Sequence, residues 1–166
     1  GSINATGSGS MRTRVIDENI GCSSHASIVK TPRGLFFAGL FGFYQTDGYK
    51  VVSVTEHLDD SFENITKTST SRKIINGTYD EREAKIYWGV ATSNNTVANE
   101  MWVLHLRTMG FTKISASSFQ ANSLAVENGD LYRSDSYGTI YRHSDDYLHD
   151  TIITLTSSTP DPVHSW

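Results

Sequence analysis

The sequence predicts an all-β fold made of three copies of one four-strand unit. Three observations carry that expectation. Apolar runs of about five residues are broken by Gly and Asp-Gly rather than set at helical spacing, first in GLFFAGLFGFYQTDGYKVVSVT, residues 34–55. A looser version of the same phrase returns over residues 73–116 and again over residues 123–155. Charged residues are only 19% of the chain while Ser and Thr are frequent, so strand and turn formers outnumber helix formers.

In the first unit, residues 12–17 and 27–30 are short β-type runs flanking the turn GCSS. Strands follow over residues 34–39, 42–48 and 49–55, joined by tight hairpins in which Gly adopts positive φ and Asp47 bonds its own backbone. Residues 56–66, EHLDDSFENIT, form the one helical turn, with Leu58, Phe62 and Ile65 spaced by four and three. The second unit runs through residues 73–79, the charged turn DERE, KIYWGVA at 85–91, the polar loop TSNNTVAN, MWVLHLR at 101–107 and residues 112–116. The third comprises residues 123–126, 130–133, 139–143 and 151–155. Its turns are marked by Asn128-Gly129, Ser136-Tyr137-Gly138 and Ser144-Asp145-Asp146.

Four short strands repeated every 40–50 residues or so are the signature of β-propeller blades. In a propeller both faces of a blade pack on neighbours, so inner strands read as continuous apolar runs, and LFFAG and KIYWGVA have that character. Periodicity alone leaves a β-sandwich or another meander sheet open. Closed propellers have about 4–8 blades, so three form an incomplete propeller or a fragment, completed by more chain or by further copies. The expected organisation is a flexible lead at residues 1–11, propeller-like blades over residues 12–156, and an irregular tail at residues 157–166.

A net charge of -4, with the fourteen basic residues scattered, argues against nucleic acid as the main partner, because phosphate binding needs clustered Lys and Arg. No run approaches the ~18 apolar residues of a membrane helix. Cys22 is the single cysteine, which excludes an intrachain disulfide and a cysteine-based metal site. Sequons at Asn4, Asn64, Asn76 and Asn94 read as chance matches in a chain this rich in Ser and Thr.

Several clusters carry chemistry-bearing residue types, and each has a plainer explanation. His143, Asp145, Asp146, His149 and Asp150 are metal-ligand types, but the two aspartates sit where a turn favours Asp. His57, Asp59 and Asp60 surround a helix start, where acids suit the helix dipole. RSDSYG at 133–138 misses the Asp-box of sialidase-type propellers, because Asp135 stands three residues from Gly138 rather than two. No privileged carboxylate pair marks a glycosidase. Cys22 with His25 differs in strand parity, which disfavours a nucleophile–base pair. Tyr87, Trp88, Trp102 and Tyr132 could stack on sugars, but alternate strand positions favour blade core. No residue is therefore assigned a catalytic, cofactor-binding or metal role. The polar loops at residues 66–72 and 92–99 are the expected contact elements.

One ordered series of phrases resembles a known family. Asn19-Ile-Gly-Cys-Ser-Ser-His-Ala-Ser-Ile-Val-Lys30 leads into GLFFAGLFGFYQTDGYKVVSVTEHLDD, and TYDEREAKIYWGV follows. The series is similar to the β-propeller domain of tailed-bacteriophage tail and neck structural proteins, the tail nozzle or tubular proteins and the stabilisation proteins. The likeness spans residues 12–155 and is strongest over residues 21–90. In that family the propeller is part of a much longer chain. The resemblance implies a non-catalytic subunit of the virion tail or neck. Such a subunit contacts other tail or neck proteins and further copies of itself, takes no cofactor, has no membrane partner, and meets nucleic acid only by lining a DNA channel. The alternative expectation is a carbohydrate- or receptor-binding module of a tail fibre or lectin-like propeller.

Overall fold

Each apolar run bounded by glycine becomes a strand, because β-branched and aromatic side chains fit a pleated surface and the glycines take the tight reversals between runs. The computed structural model describes residues 14–56, 62, 65, 74–93, 95–116, 118–143 and 151–153, the last three for the main chain only. Among the described residues the strands form three four-stranded sheets, each an antiparallel meander in chain order. Blade 1 holds β1 (Val29–Thr31), β2 (Gly34–Ala38), β3 (Phe43–Thr46) and β4 (Val51–Ser53). Blade 2 holds β5 (Asn76–Asp80), β6 (Lys85–Val90), β7 (Glu100–His105) and β8 (Gly110–Ile114). Blade 3 holds β9 (Ser123–Glu127), β10 (Asp130–Ser134), β11 (Ile140–His143) and β12 (Thr151–Ile153).

The first strands of the three blades lie side by side, β5 between β1 and β9. The sheets therefore stack as blades from a shared line of first strands, in a propeller-like arrangement that is not closed. The all-β expectation and the three-unit repeat both hold. Local details shift: residues 14–17 form no strand, and a single 3-10 turn (His25–Ser27) precedes β1 instead. The helical turn expected over residues 56–66 lies largely outside the described residues. Its Phe62 and Ile65 are buried, the Ile65 amide donates to the Phe62 carbonyl at 3.0 Å, and Ile65 bridges to Thr92.

Strand alternation sorts the core into two clusters on opposite faces of blade 2. Ile86, Trp88, Val90, Trp102 and Leu104 face blade 1 and pack with Val29, Phe36, Ala38 and Phe43. Tyr87, Met101 and Val103 face the other way, against Phe119, Ala121 and Leu131. The register explains the parity, since Trp88 pairs with Trp102 and Tyr87 with Val103 across β6 and β7. Aromatic rings fill the first cluster. Phe43 stacks on Trp88 at 4.2 Å between centroids, and Phe62 meets the edges of Phe43 and Trp102. Such a pair adds about 0.5–1.5 kcal/mol beyond the area it buries.

Burying Trp88 requires an acceptor for its indole N–H, and blade 1 provides one. Nε1 donates to the Ser27 carbonyl at 3.0 Å. The Ser27 hydroxyl in turn donates to the Ser24 carbonyl and accepts the Ala38 amide, and the Ser24 hydroxyl donates to the Ile75 carbonyl. On the far side of blade 2, Gly89 stands where a Cβ would collide with the Ala121 carbonyl, so the absence of a side chain lets blade 3 approach.

Trp88→Ala removes the ring that joins blades 1 and 2 and is expected to cost about 3–5 kcal/mol. Tyr137→Ala, at a side chain 86% exposed, is expected to stay within about 0.5 kcal/mol. Urea unfolding followed by tryptophan fluorescence and circular dichroism checks the contrast, and equal midpoints would refute this packing.

Candidate functional site

A cleft opens between blades 2 and 3, a cavity of about 230 Å³. The β5–β6 turn contributes Asp80, Arg82 and Glu83, and Tyr87 follows on β6. Opposite them stand Gly129, Asp130 and Leu131 from the β9–β10 hairpin, with Arg142 and His143 from β11. The acids are held by local geometry. Asp80 is buried, and its Oδ1 accepts the Arg82 and Glu83 amides at 2.9 and 3.2 Å, so it closes its own turn. Glu83 pairs with Lys85 at 3.3 Å and Asp130 lies 3.8 Å from Arg142. Arg82 straps the cleft, donating from Nη2 to the Gly129 carbonyl at 3.0 Å.

At the other end of β5 the seam is threaded with amides. Asn76 Nδ2 donates to the carbonyls of Ile74, Ala121 and Asn122 at 3.2, 3.0 and 3.1 Å. Asn122 Oδ1 accepts the Ala98 amide, and the Ala121 amide donates to the Ala98 carbonyl. Three carbonyl acceptors fix the orientation of the Asn76 amide, and its buried Oδ1 is left without a hydrogen-bond partner. Such an orphan costs about 1–3 kcal/mol unless something fills it.

At the far end of blade 3, Arg133 is buried with its guanidinium between two rings, 4.1 Å from the centroid of Tyr141 and 4.5 Å from that of Phe119. Its Nη1 also donates to the Gln120 carbonyl at 2.8 Å. Asp135 caps the adjoining turn: Oδ1 accepts the Tyr137 and Thr139 amides, each at 2.8 Å, and Oδ2 accepts the Tyr141 hydroxyl at 3.0 Å. Burial pushes the Asp135 carboxyl up, but the Thr139 and Tyr137 amides and the Tyr141 hydroxyl outweigh it and hold the group below the usual aspartate range. Asp47 is lowered too, by the amides of Tyr49 and then Lys50 in the β3–β4 turn.

The residues singled out in the sequence separate under this geometry. His143 reaches the cleft from β11, while Asp145, Asp146, His149 and Asp150 lie outside the described residues, as do His57, Asp59 and Asp60. Cys22 is exposed, and its Sγ turns to the Ser24 carbonyl at 3.0 Å rather than to His25. Trp88 and Trp102 are core, Tyr87 is buried at the cleft, and Tyr132 is half-buried on blade 3. The Asn76 sequon cannot accept a glycan in the folded protein because its amide is buried and bonded; Asn4, Asn64 and Asn94 lie outside the described residues. In the loop at residues 92–99, Asn95 and Asn99 both bond back to Thr92, so the loop is internally braced. Residues 66–72 lie outside the described residues. The Arg82 strap and the Arg133 sandwich escape a reading of the sequence, since nothing in spacing distinguishes those arginines from the other basic residues.

Comparison with protein-family models and with curated proteins finds no match to this chain. No helix among the described residues is long and apolar enough to cross a membrane.

The two capped aspartates generate a pH prediction. A carboxyl whose folded pKa is depressed contributes stability that is complete above its unfolded value, about pH 4, and is lost as pH falls through the folded value. The protein is therefore expected to lose stability on acidification below about pH 4. Asp135→Asn together with Asp47→Asn keeps an acceptor in each turn but removes the titration, and is expected to flatten that acid limb in thermal unfolding across pH. An unchanged limb would count against these turns as its source.

Proposed function

We propose that the chain is a non-catalytic, propeller-type assembly module, a structural component of a bacteriophage virion tail or neck. The observation that carries this reading is where the unusual side chains go. The aromatic phrases that resemble the tail and neck proteins form the seam between blades 1 and 2, with Phe43, Trp88 and Trp102 buried together. Among the described residues, the acids Asp80, Glu83, Asp130 and Asp135 are held in turns and ion pairs instead. An unclosed stack of blades also favours association with further copies and with other tail or neck proteins, because uncovered blade faces and strand edges invite partners. Phe41 and Tyr49, 67% and 74% exposed on the two turns flanking β3, are the side chains best placed to be covered in such an assembly. Nucleic acid enters this reading only as the content of a channel that a ring would line.

Light scattering on the purified protein tests the reading. A dimer or larger ring is expected, and Phe41→Ser with Tyr49→Ser is expected to shift it toward monomer. A monomer at every concentration would remove the self-assembling part of the reading.

The second reading, a carbohydrate- or receptor-binding module, is favoured by the cleft, whose Asp, Arg and Tyr side chains are the groups that bind sugar hydroxyls. A glycan that binds there is expected to raise the melting temperature, by mass action on the folded state. Arg142→Ala is expected to abolish that rise, and no shift across a glycan panel would retire the reading.

A further inference from the structure

The cleft ends at the β9–β10 turn, which carries one of the chain's two Asn-Gly steps, Asn128–Gly129; the other is Asn76–Gly77 in β5. Asn followed by Gly is chemically labile, because no side chain shields the glycine amide nitrogen from the neighbouring asparagine carbonyl. That nitrogen attacks Asn Cγ, and a new C–N bond closes a five-membered succinimide. The bond between Cγ and Nδ2 breaks, and Nδ2 leaves as ammonia. Water then opens the ring at either carbonyl, leaving aspartate or its β-linked isomer. The sum is one water consumed and one ammonia released, with no change of oxidation state.

The fold places the two steps in opposite conditions. Asn76 is buried, its amide is held by three carbonyls, and Gly77 sits inside β5 opposite Trp88. Asn128 is exposed, with φ 55° beside Gly129 at φ 81°, the two left-handed positions of a two-residue hairpin turn. Neither the Asn128 side chain nor the Gly129 N–H has a hydrogen-bond partner among the described residues. Electrophile and nucleophile are thus both unengaged at Asn128–Gly129, whereas at Asn76–Gly77 the electrophile is held by hydrogen bonds and the nucleophile lies within a strand.

We propose that Asn128 is a site of spontaneous deamidation in the folded protein, and that the modification acts on the seam between blades 2 and 3. The Arg82 guanidinium lies against Gly129 and donates to its carbonyl. The β-linked product lengthens the main chain of that turn by one methylene and sets a new carboxylate beside this strap. Molecules that have aged differ from fresh ones at the mouth of the cleft.

The test is peptide mapping by mass spectrometry after incubating the whole folded protein in mildly alkaline buffer, with isoaspartyl methyltransferase labelling to detect the β-linked product. The expected result is replacement of NH2 by OH at Asn128, with isoaspartyl label there, while Asn76 stays intact. In urea both steps are expected to react, which separates protection by the fold from low intrinsic reactivity. Asn128→Asp is expected to abolish ammonia release from the folded protein. The proposal is overturned if Asn128 persists in the folded protein over the time in which the unfolded protein reacts, or if Asn76 reacts first.

Discussion

The structure depends on one constraint: the two central strands of blade 2 have no polar face. From Ile86 to Val90 every residue of β6 is buried, and so are the four central residues of β7. A sheet of this kind cannot stand at a surface, so blades 1 and 3 are each obliged to cover one side of it. Hydrophobic burial alone would permit many ways of covering it. The indole N–H of Trp88 narrows them, because leaving that donor dry would cost about 1–3 kcal/mol. A backbone carbonyl at the right height answers it, and Ser27 is held there by its hydroxyl, bonded to Ser24 and Ala38. The register of blade 1 against blade 2 is therefore set by a polar contact inside an apolar seam.

The two seams of blade 2 differ in kind. The blade 1 side is ring against ring, with Phe43, Trp88, Trp102 and Phe111 in mutual contact. Toward blade 3 an apolar cluster of Tyr87, Met101, Val103, Phe119 and Leu131 is flanked by polar contacts: Gly89 against the Ala121 carbonyl, Asn76 against two carbonyls, and Arg82 reaching to Gly129. Amide hydrogen bonds fix position at points and fill space poorly, whereas interlocked rings fill it.

The fold was legible in the sequence because its strongest signals are local. Gly and Asp-Gly punctuation located the hairpins, and the continuous apolar run KIYWGV identified a strand covered on both sides. The first strand of blade 1 was harder: residues 12–17 and 27–30 carry similar β-type composition, and only the Ser24–Ser27 hydrogen bonds decide that the backbone turns at His25–Ser27 and enters the sheet at Val29. The site was much less legible. Asp80 and Gly129 are separated by almost fifty residues of sequence, and their meeting follows from how blades stack, a property no window of sequence contains. His143 attracted attention for its acidic neighbours downstream in sequence, yet its place in the cleft comes from β11 pairing with β10.

Burial along the strands also separates the outward faces of the stack. In β9 exposure alternates, with Ser123, Ala125 and Glu127 outward and Leu124 and Val126 against blade 2, the pattern of a strand covered on one side only. Blade 1 differs: Phe37 and Tyr44, on its face away from blade 2, are both buried and stacked at 5.8 Å, while Leu35 beside them is partly open. A partner meeting the β9 face would find a hydroxyl, a methyl group and a carboxylate, and one meeting blade 1 would find apolar side chains at its margin. Interaction at the first face has to be polar and hydrated, and at the second it can be driven by burial. The two ends of the stack are therefore unsuited to the same partner, because a surface that buries apolar side chains well leaves a hydroxyl and a carboxylate without hydrogen bonds.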